Sequence, residues 1–163
     1  MNDPEQSPIS VEDLAQLFSQ HMPHGRDIGM ALDERTSDGR TRMRLPAQPF
    51  LSDDTNGDCF MPGVLFSLAD SACGLAVLRA LGRVVPIATL DMRIDHLVPA
   101  SMDADLVAVA ECYRMTSSIA FTRCELHSGP QSEVCAIAVG TFMLSSSSAR
   151  VPDISLFAGV QPR

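Results

Sequence analysis

Lysine and tryptophan are absent from this 163-residue sequence, and there is a single tyrosine. All 12 fixed positive charges are therefore arginines, set against 20 acidic residues for a formal net charge of -8. A chain this acidic lacks the basic face that displaces counterions from a nucleic acid, so no DNA or RNA partner is expected. A local arginine cluster that grips phosphate remains compatible with the balance. Several catalytic signatures are missing too. There is no GxSxG nucleophile elbow, no GxGxxG and no Walker loop. His21 and His24 form HxxH with no third ligand in view, so metal binding is not expected there. His96 and His127 fall near strand ends, where solvation is the plain reading. The cysteines, Cys59, Cys73, Cys112, Cys124 and Cys135, are odd in number and include no CxxC. They read as reduced thiols used as small core residues. Met1 to Ser10 has no basic flank followed by an apolar run, and no apolar stretch reaches the roughly 18 residues of a membrane span. The expected location is the cytoplasm, away from any membrane.

What is present is ordinary for one globular domain: 45% hydrophobic and 20% charged residues, close to the soluble average. Ser10 with Asp13 three residues on has capping-box spacing, and Val11, Leu14, Leu17, Phe18 and Met22 then fall on one helical face. Met22-Pro23 ends that helix. Ile28, Met30 and Leu32, then Thr41, Met43 and Leu45, alternate with polar or small residues across Ser37-Asp38-Gly39, which predicts a β-hairpin. Pro46 to Asp58 is a loop. Met61 to Leu81 is apolar nearly all round, interrupted by Ser67, Asp70, Ser71 and Arg79, and stops at Gly82; such a helix must be enclosed. Period-two runs follow over Val84–Val98, Ala104–Tyr113, Ser118–Leu126 and Val134–Leu144. A polar tail carrying Ile154, Leu156 and Phe157 closes the chain. One antiparallel sheet curled round the central helix accommodates this order.

Asp70 is the foremost chemical candidate. A carboxylate two to three turns into an apolar helix must be paired, protonated or held at a wet cleft. It suits a general base or nucleophile, and equally a carboxylate on the helix's one polar stripe, capping a loop. Asn56-Gly57-Asp58 reads first as a turn. It also places polar side chains over the start of the helix, where free N–H groups and the dipole favour a carbonyl oxygen. Thr89, Asp91, Arg93 and Asp95 form one face of their strand, the usual solvated face, and Leu90, Met92 and Ile94 the other. Thr89 is small enough to hydrogen-bond a ligand or water. Met30, Met43, Met61 and Met92 fit either an adaptable apolar pocket or a core.

Two stretches carry a family resemblance. Met61-Pro62-Gly63-Val64-Leu65-Phe66-Ser67-Leu68-Ala69-Asp70-Ser71-Ala72 resembles the HGGxxxxLxD helix start of hotdog thioesterases of the phenylacetate-degradation type. Thr89-Leu90-Asp91-Met92-Arg93-Ile94-Asp95-His96-Leu97-Val98-Pro99-Ala100 resembles the strand after it, TxDxxxxYLRPA. The match runs from about residue 26 to 145. It implies an α+β hotdog fold, a curved six-stranded antiparallel sheet wrapped around a long central helix. An N-terminal helix and arm would occupy 1–25, the hotdog domain 26–145 and the tail 146–163. It also implies hydrolysis of acyl-CoA thioesters without metal or cofactor, by homodimers that join sheets edge to edge and often pair into tetramers. The active sites of the family lie between subunits. Asp70 takes the place of the acid that attacks the thioester or activates water. Thr89 matches a hydroxyl residue that positions water from the partner subunit.

Two departures stand out. The HGG reads Met61-Pro62-Gly63, and Pro62 has no N–H to offer the thioester carbonyl. Gly63 and Asn56 are the substitutes for that donor, with Met61 and Pro62 against the substrate. The RxGR turn that often meets CoA phosphates reads Arg114-Met115-Thr116-Ser117, which keeps only its first arginine, so Arg114 and, on the strand after the helix, Arg93 are candidates for binding substrate. A thioesterase with a rearranged oxyanion site is the first functional reading. A non-catalytic acyl-CoA or fatty-acyl binder is the second, and a purely structural dimer the third.

Overall fold

In the computed structural model, which describes residues 10–33, 40–53, 57–129 and 133–144, Ser10 caps the first helix as its spacing to Asp13 predicts. The Asp13 N–H donates to Ser10 Oγ at 3.0 Å, and the Ser10 N–H returns a bond to the Asp13 carboxylate at 3.2 Å. The helix, α1, spans Val11–His21 and buries Leu14 and Phe18. Its end at Met22 is followed by a short helix absent from the sequence expectation, α2, Pro23–Asp27, with Pro23 in the first turn, where a missing N–H costs nothing. Gly25 of α2 is needed for space: a Cβ there would lie 2.4 Å from the Phe18 ring.

The hairpin is present but its first arm is short. β1, Ala31–Leu32, pairs antiparallel with β2, Thr41–Leu45, in the register Ala31 to Arg44 and Leu32 to Met43. Ile28 instead ends α2, and Gly29, at φ 88°, turns the chain. The Ser37-Asp38-Gly39 turn lies outside the described residues. Thr41, Met43 and Leu45 are buried, while Arg42 and Arg44 reach Asp33 at 3.2 Å and Asp105 at 2.7 Å. A single 3-10 turn, Pro49–Leu51, interrupts the expected loop.

α3 spans Pro62–Leu81 and ends on Gly82, whose φ of 65° is the left-handed cap a glycine supplies without strain. One sequence expectation needs correction. With a mean hydropathy of 1.7 over 18 residues, α3 is long and apolar enough to cross a membrane, because its polar residues are too few to offset the rest. In this fold the apolar surface is taken up by a sheet. The strands are β3, Ile87–His96; β4, Leu106–Met115; β5, Ile119–Ser128; and β6, Glu133–Leu144. They join the hairpin in one six-stranded sheet of order β1-β2-β4-β5-β6-β3, with every neighbouring pair antiparallel. α3 packs on β2, β4, β5, β6 and β3. Leu65, Leu68 and Leu75 of α3 are at most 2% exposed, and each such burial contributes about 1.5–3 kcal/mol. β3 is shorter than the Val84–Val98 expected, since Pro86 cannot donate to a ladder. Among the described residues it pairs with β6 alone, which leaves its other edge open there. The result is the wrapped-sheet architecture that the resemblance implies. Most of the arm and all of the tail, residues 1–9 and 145–163, lie outside the described residues, and with them Ile154, Leu156 and Phe157.

Candidate active site

The sheet does not enclose α3 evenly. From Ala72 to Leu78 every residue is buried. Nearer the start, Gly63 and Phe66 are exposed and Ser67, Asp70 and Ser71 half-buried. Steps of three and four residues put these on one stripe. Gly63, Ser67 and Asp70 line up two turns deep, and Ser67 Oγ donates to the Gly63 carbonyl at 3.0 Å.

β3 lies over that stripe, and here the alternation reading requires correction. It puts Leu90 inward with Met92 and Ile94, and Thr89 outward with Asp91. A β-bulge at Leu90 breaks the step: Thr89 pairs with Phe142, and Asp91 with the adjacent Thr141. Phe142 is buried on the helix side of the sheet, so Thr89 points that way as well. Leu90 is turned out and is 53% exposed. Thr89 Oγ1 then donates to Asp70 Oδ1 at 2.8 Å. A half-buried carboxylate gains a charge-assisted hydrogen bond from this exchange, which a leucine in the same place does not offer. Bulges beside active sites commonly re-aim a side chain in this way. The resemblance assigns the hydroxyl to a partner subunit; in this fold the bond forms within one chain. Among the described residues it is the only hydrogen bond to the Asp70 carboxylate, so Oδ2 stays open to water.

The start of α3 holds the second half of the arrangement. Met61, half-buried, precedes the helix without a side-chain cap and is anchored by its N–H on the Leu51 carbonyl at 2.9 Å. Pro62 opens the helix and lines an open groove of about 470 Å³ with Phe60, Leu65, Leu97 and Val98. Gly63 is the first residue of the helix with an N–H to give, and first-turn N–H groups have no acceptor within their own helix. Among the described residues, nothing beyond its chain neighbours and the helix's own backbone stands within 4 Å of where a Gly63 Cβ would be. Along the axis, seven residues separate it from Asp70 by about 10 Å. Asn56 lies outside the described residues.

Arg93 and Arg114 are not brought to Asp70 within the chain. The Arg93 guanidinium forks onto Asp95 at 3.0 and 2.8 Å on the sheet's outer face. Arg114 follows a second bulge in β4, pairs with Phe121, and is separated from β3 by β5 and β6. Sequence reasoning passed over Cys73, one turn beyond Asp70 and buried beside Cys124 and Thr122. Its interaction with Cys124 lowers the Cys73 pKa, against burial and the Asp70 charge, and raises that of Cys124 well above the ordinary thiol range. It also passed over Phe66, one turn before Asp70 and 41% exposed. Its position four residues before Asp70 was the available signal.

Comparison with known proteins agrees with this fold. The Thioesterase superfamily model matches residues 60–135, from the approach to α3 into β6. A Halobacterium salinarum protein named provisionally as an esterase is 32% identical over 117 residues, covering 68% of this chain and 76% of that protein. The chain belongs to the thioesterase superfamily. The medium/long-chain acyl-CoA thioesterase YigI of Escherichia coli is 26% identical to this superfamily member over 144 residues, 80% of this chain and 91% of YigI. A solved thioesterase structure from Haemophilus influenzae superposes with a TM-score of 0.75 at 17% identity, covering 90% of this chain and 97% of that one. The fold of this superfamily member is the hotdog fold, and thioester hydrolysis is the chemistry to which these relationships point.

Proposed function

We propose that the protein hydrolyses acyl-CoA thioesters to the free acid and CoA, with Asp70 as general base or nucleophile. The observation that carries this reading is the Thr89 Oγ1 to Asp70 Oδ1 bond of 2.8 Å at the open stripe of α3. Thr89 occupies one carboxylate oxygen and fixes its plane, which leaves Oδ2 for the reaction. As a base, Oδ2 takes a proton from water while the water oxygen attacks the thioester carbon. The tetrahedral intermediate then expels the CoA thiolate, which takes the proton from Asp70. As a nucleophile, Oδ2 attacks the thioester carbon, the C–S bond breaks and the CoA thiolate leaves a mixed anhydride; water then cleaves the anhydride to the free acid and the Asp70 carboxylate, and the proton it releases neutralises the thiolate. In either course charge develops on the carbonyl oxygen. The Gly63 N–H, at the positive end of α3, is its donor, and Asn56 is the second. Met61 and Pro62 border the substrate. Arg93 and Arg114, both outside the Asp70 cleft of their own chain, meet CoA phosphates only across a subunit boundary.

The assembly belongs to the same proposal. Among the described residues β3 leaves one edge unpaired and carries exposed Leu90, and an open ten-residue edge invites a second strand. A homodimer formed along β3, with dimers pairing further, fits this edge, and a cytoplasmic protein free of nucleic acid, membrane and cofactor fits the composition. Pro62 favours a second reading, a hotdog protein that binds acyl-CoA or fatty acyl groups without cleaving them, because it removes an oxyanion donor. A panel of aryl-, short- and medium-chain acyl-CoAs separates the two. Free thiol should be released by wild type and not by Asp70→Asn. Thermal stabilisation by acyl-CoA with no thiol release would favour the binder instead.

A further inference from the structure

Thr89 faces Asp70 only because β3 runs one residue out of step, and the cause of that step lies away from both residues. Two inward side chains fix β3 on either side of the bulge. Ile87 pairs with Leu144, and its Cδ1 packs against α3 at Gly74. Met92 pairs with Gly140 of β6. Between these two pairs β3 runs through four residues, 88 to 91, while β6 runs through three, 141 to 143. One residue of β3 is surplus and must leave the ladder, and the residue that leaves is Leu90. Gly140 is what lets Met92 hold its place. A Cβ on Gly140 would stand 3.0 Å from Met92 Cε, 3.2 Å from Thr122 Oγ1 and 3.4 Å from the Asp91 carbonyl oxygen. The Gly140 peptide is held from the other side as well, since Thr122 Oγ1 donates to its carbonyl at 3.1 Å. The backbone of β6 is thus pinned by β5, and the space above it is filled by Met92.

We infer that Gly140 and Met92 are positioning residues for the hydrolysis: by seating β3 against β6 they force the bulge that turns position 89, whatever residue stands there, onto Asp70. This rests on the reading of Asp70 and Thr89 as the reacting pair. The alternative is that the Thr89 hydroxyl itself selects the register by seeking the carboxylate. Exchanging the two residues separates these accounts. In Thr89→Leu/Leu90→Thr, seating by Met92 and Gly140 keeps position 89 inward, so a leucine faces Asp70. kcat should then fall about tenfold or more, to within about threefold of Thr89→Val, with KM changed less than about twofold and a melting temperature close to that of Thr89→Val. If the hydroxyl selects the register, the strand steps back into regular alternation, threonine 90 reaches Asp70, and kcat stays at the wild-type value; that result overturns the inference. Gly140→Val supplies the second arm. It should lower kcat in the same way, and restoring room with Met92→Ala in that background should recover less than wild-type activity, since the seat is lost. Wild-type kcat in Gly140→Val also overturns the inference. An inactive wild type, or a fully active Thr89→Val, would instead overturn the reading of the reacting pair.

Discussion

Replacing Thr89 by valine removes a hydroxyl and keeps the shape. The hydroxyl makes one bond, 2.8 Å to Asp70 Oδ1. Hydrogen bonds to charged groups contribute about 1.5–3 kcal/mol. Thr89 is exposed and Asp70 half-buried, so water replaces part of the interaction and the lower end applies, about 1.5 kcal/mol. If the bond holds the carboxylate in its reacting orientation, that loss appears in the transition state and kcat falls roughly tenfold. KM should move less than about twofold, because Thr89 orients the acid rather than gripping the substrate. The melting temperature should fall by no more than about 6 °C, since losing up to about 1.5 kcal/mol shifts it about 2–4 °C per kcal/mol in a domain of this size. The assay is steady-state release of CoA thiol, detected with a thiol-reactive chromophore, alongside a thermal melt. An unchanged kcat would refute the reasoning. So would a kcat loss accompanied by a large drop in melting temperature, which would make Thr89 a structural residue.

Gly63→Pro removes the N–H at the start of α3 in a turn that tolerates proline, and kcat should fall about 100- to 1000-fold with the far-ultraviolet spectrum retained. Leu68→Ala cuts a side chain that is 0% exposed beneath the same stripe, and chemical denaturation should show a loss of about 2–5 kcal/mol. Alkylation of the native protein near pH 8, followed by mass mapping, should modify half-exposed Cys59 first. Cys124 and Cys135 should resist, since each is buried and its pKa is raised, for Cys124 chiefly by the interaction with Cys73 and for Cys135 chiefly by burial.

Much of this protein is legible in its sequence because the signals involved are local. The Ser10–Asp13 cap, the Gly82 stop and the alternation of β5 and most of β6 depend on near neighbours and are found close to where spacing places them, while β4, Leu106–Met115 against the expected Ala104–Tyr113, loses its alternation at a bulge. Asp70 stands out for the same reason, as an acid within an apolar run. The direction of Thr89 is not legible. It depends on counting residues between two contacts with β6, some fifty positions later, and one surplus residue reverses the face of everything before it. Arg93 and Arg114 were legible as charges but not as neighbours of anything. Arg93 is consumed by Asp95 on the outer face, and Arg114 is carried past a bulge whose existence depends on pairing with β5. Short α2 escaped because Met22-Pro23 is both a helix end and a helix start.

The central claim is that Asp70 performs the hydrolysis of a CoA thioester. The measurement that addresses it most directly is kcat/KM for wild type and Asp70→Asn on whichever acyl-CoA the wild type turns over fastest, with acyl-CoA binding to both measured by calorimetry. A loss of about 100- to 10,000-fold in kcat/KM with binding retained is the predicted result. Equal turnover by the two proteins, or binding by wild type with no hydrolysis of any acyl-CoA, would contradict it.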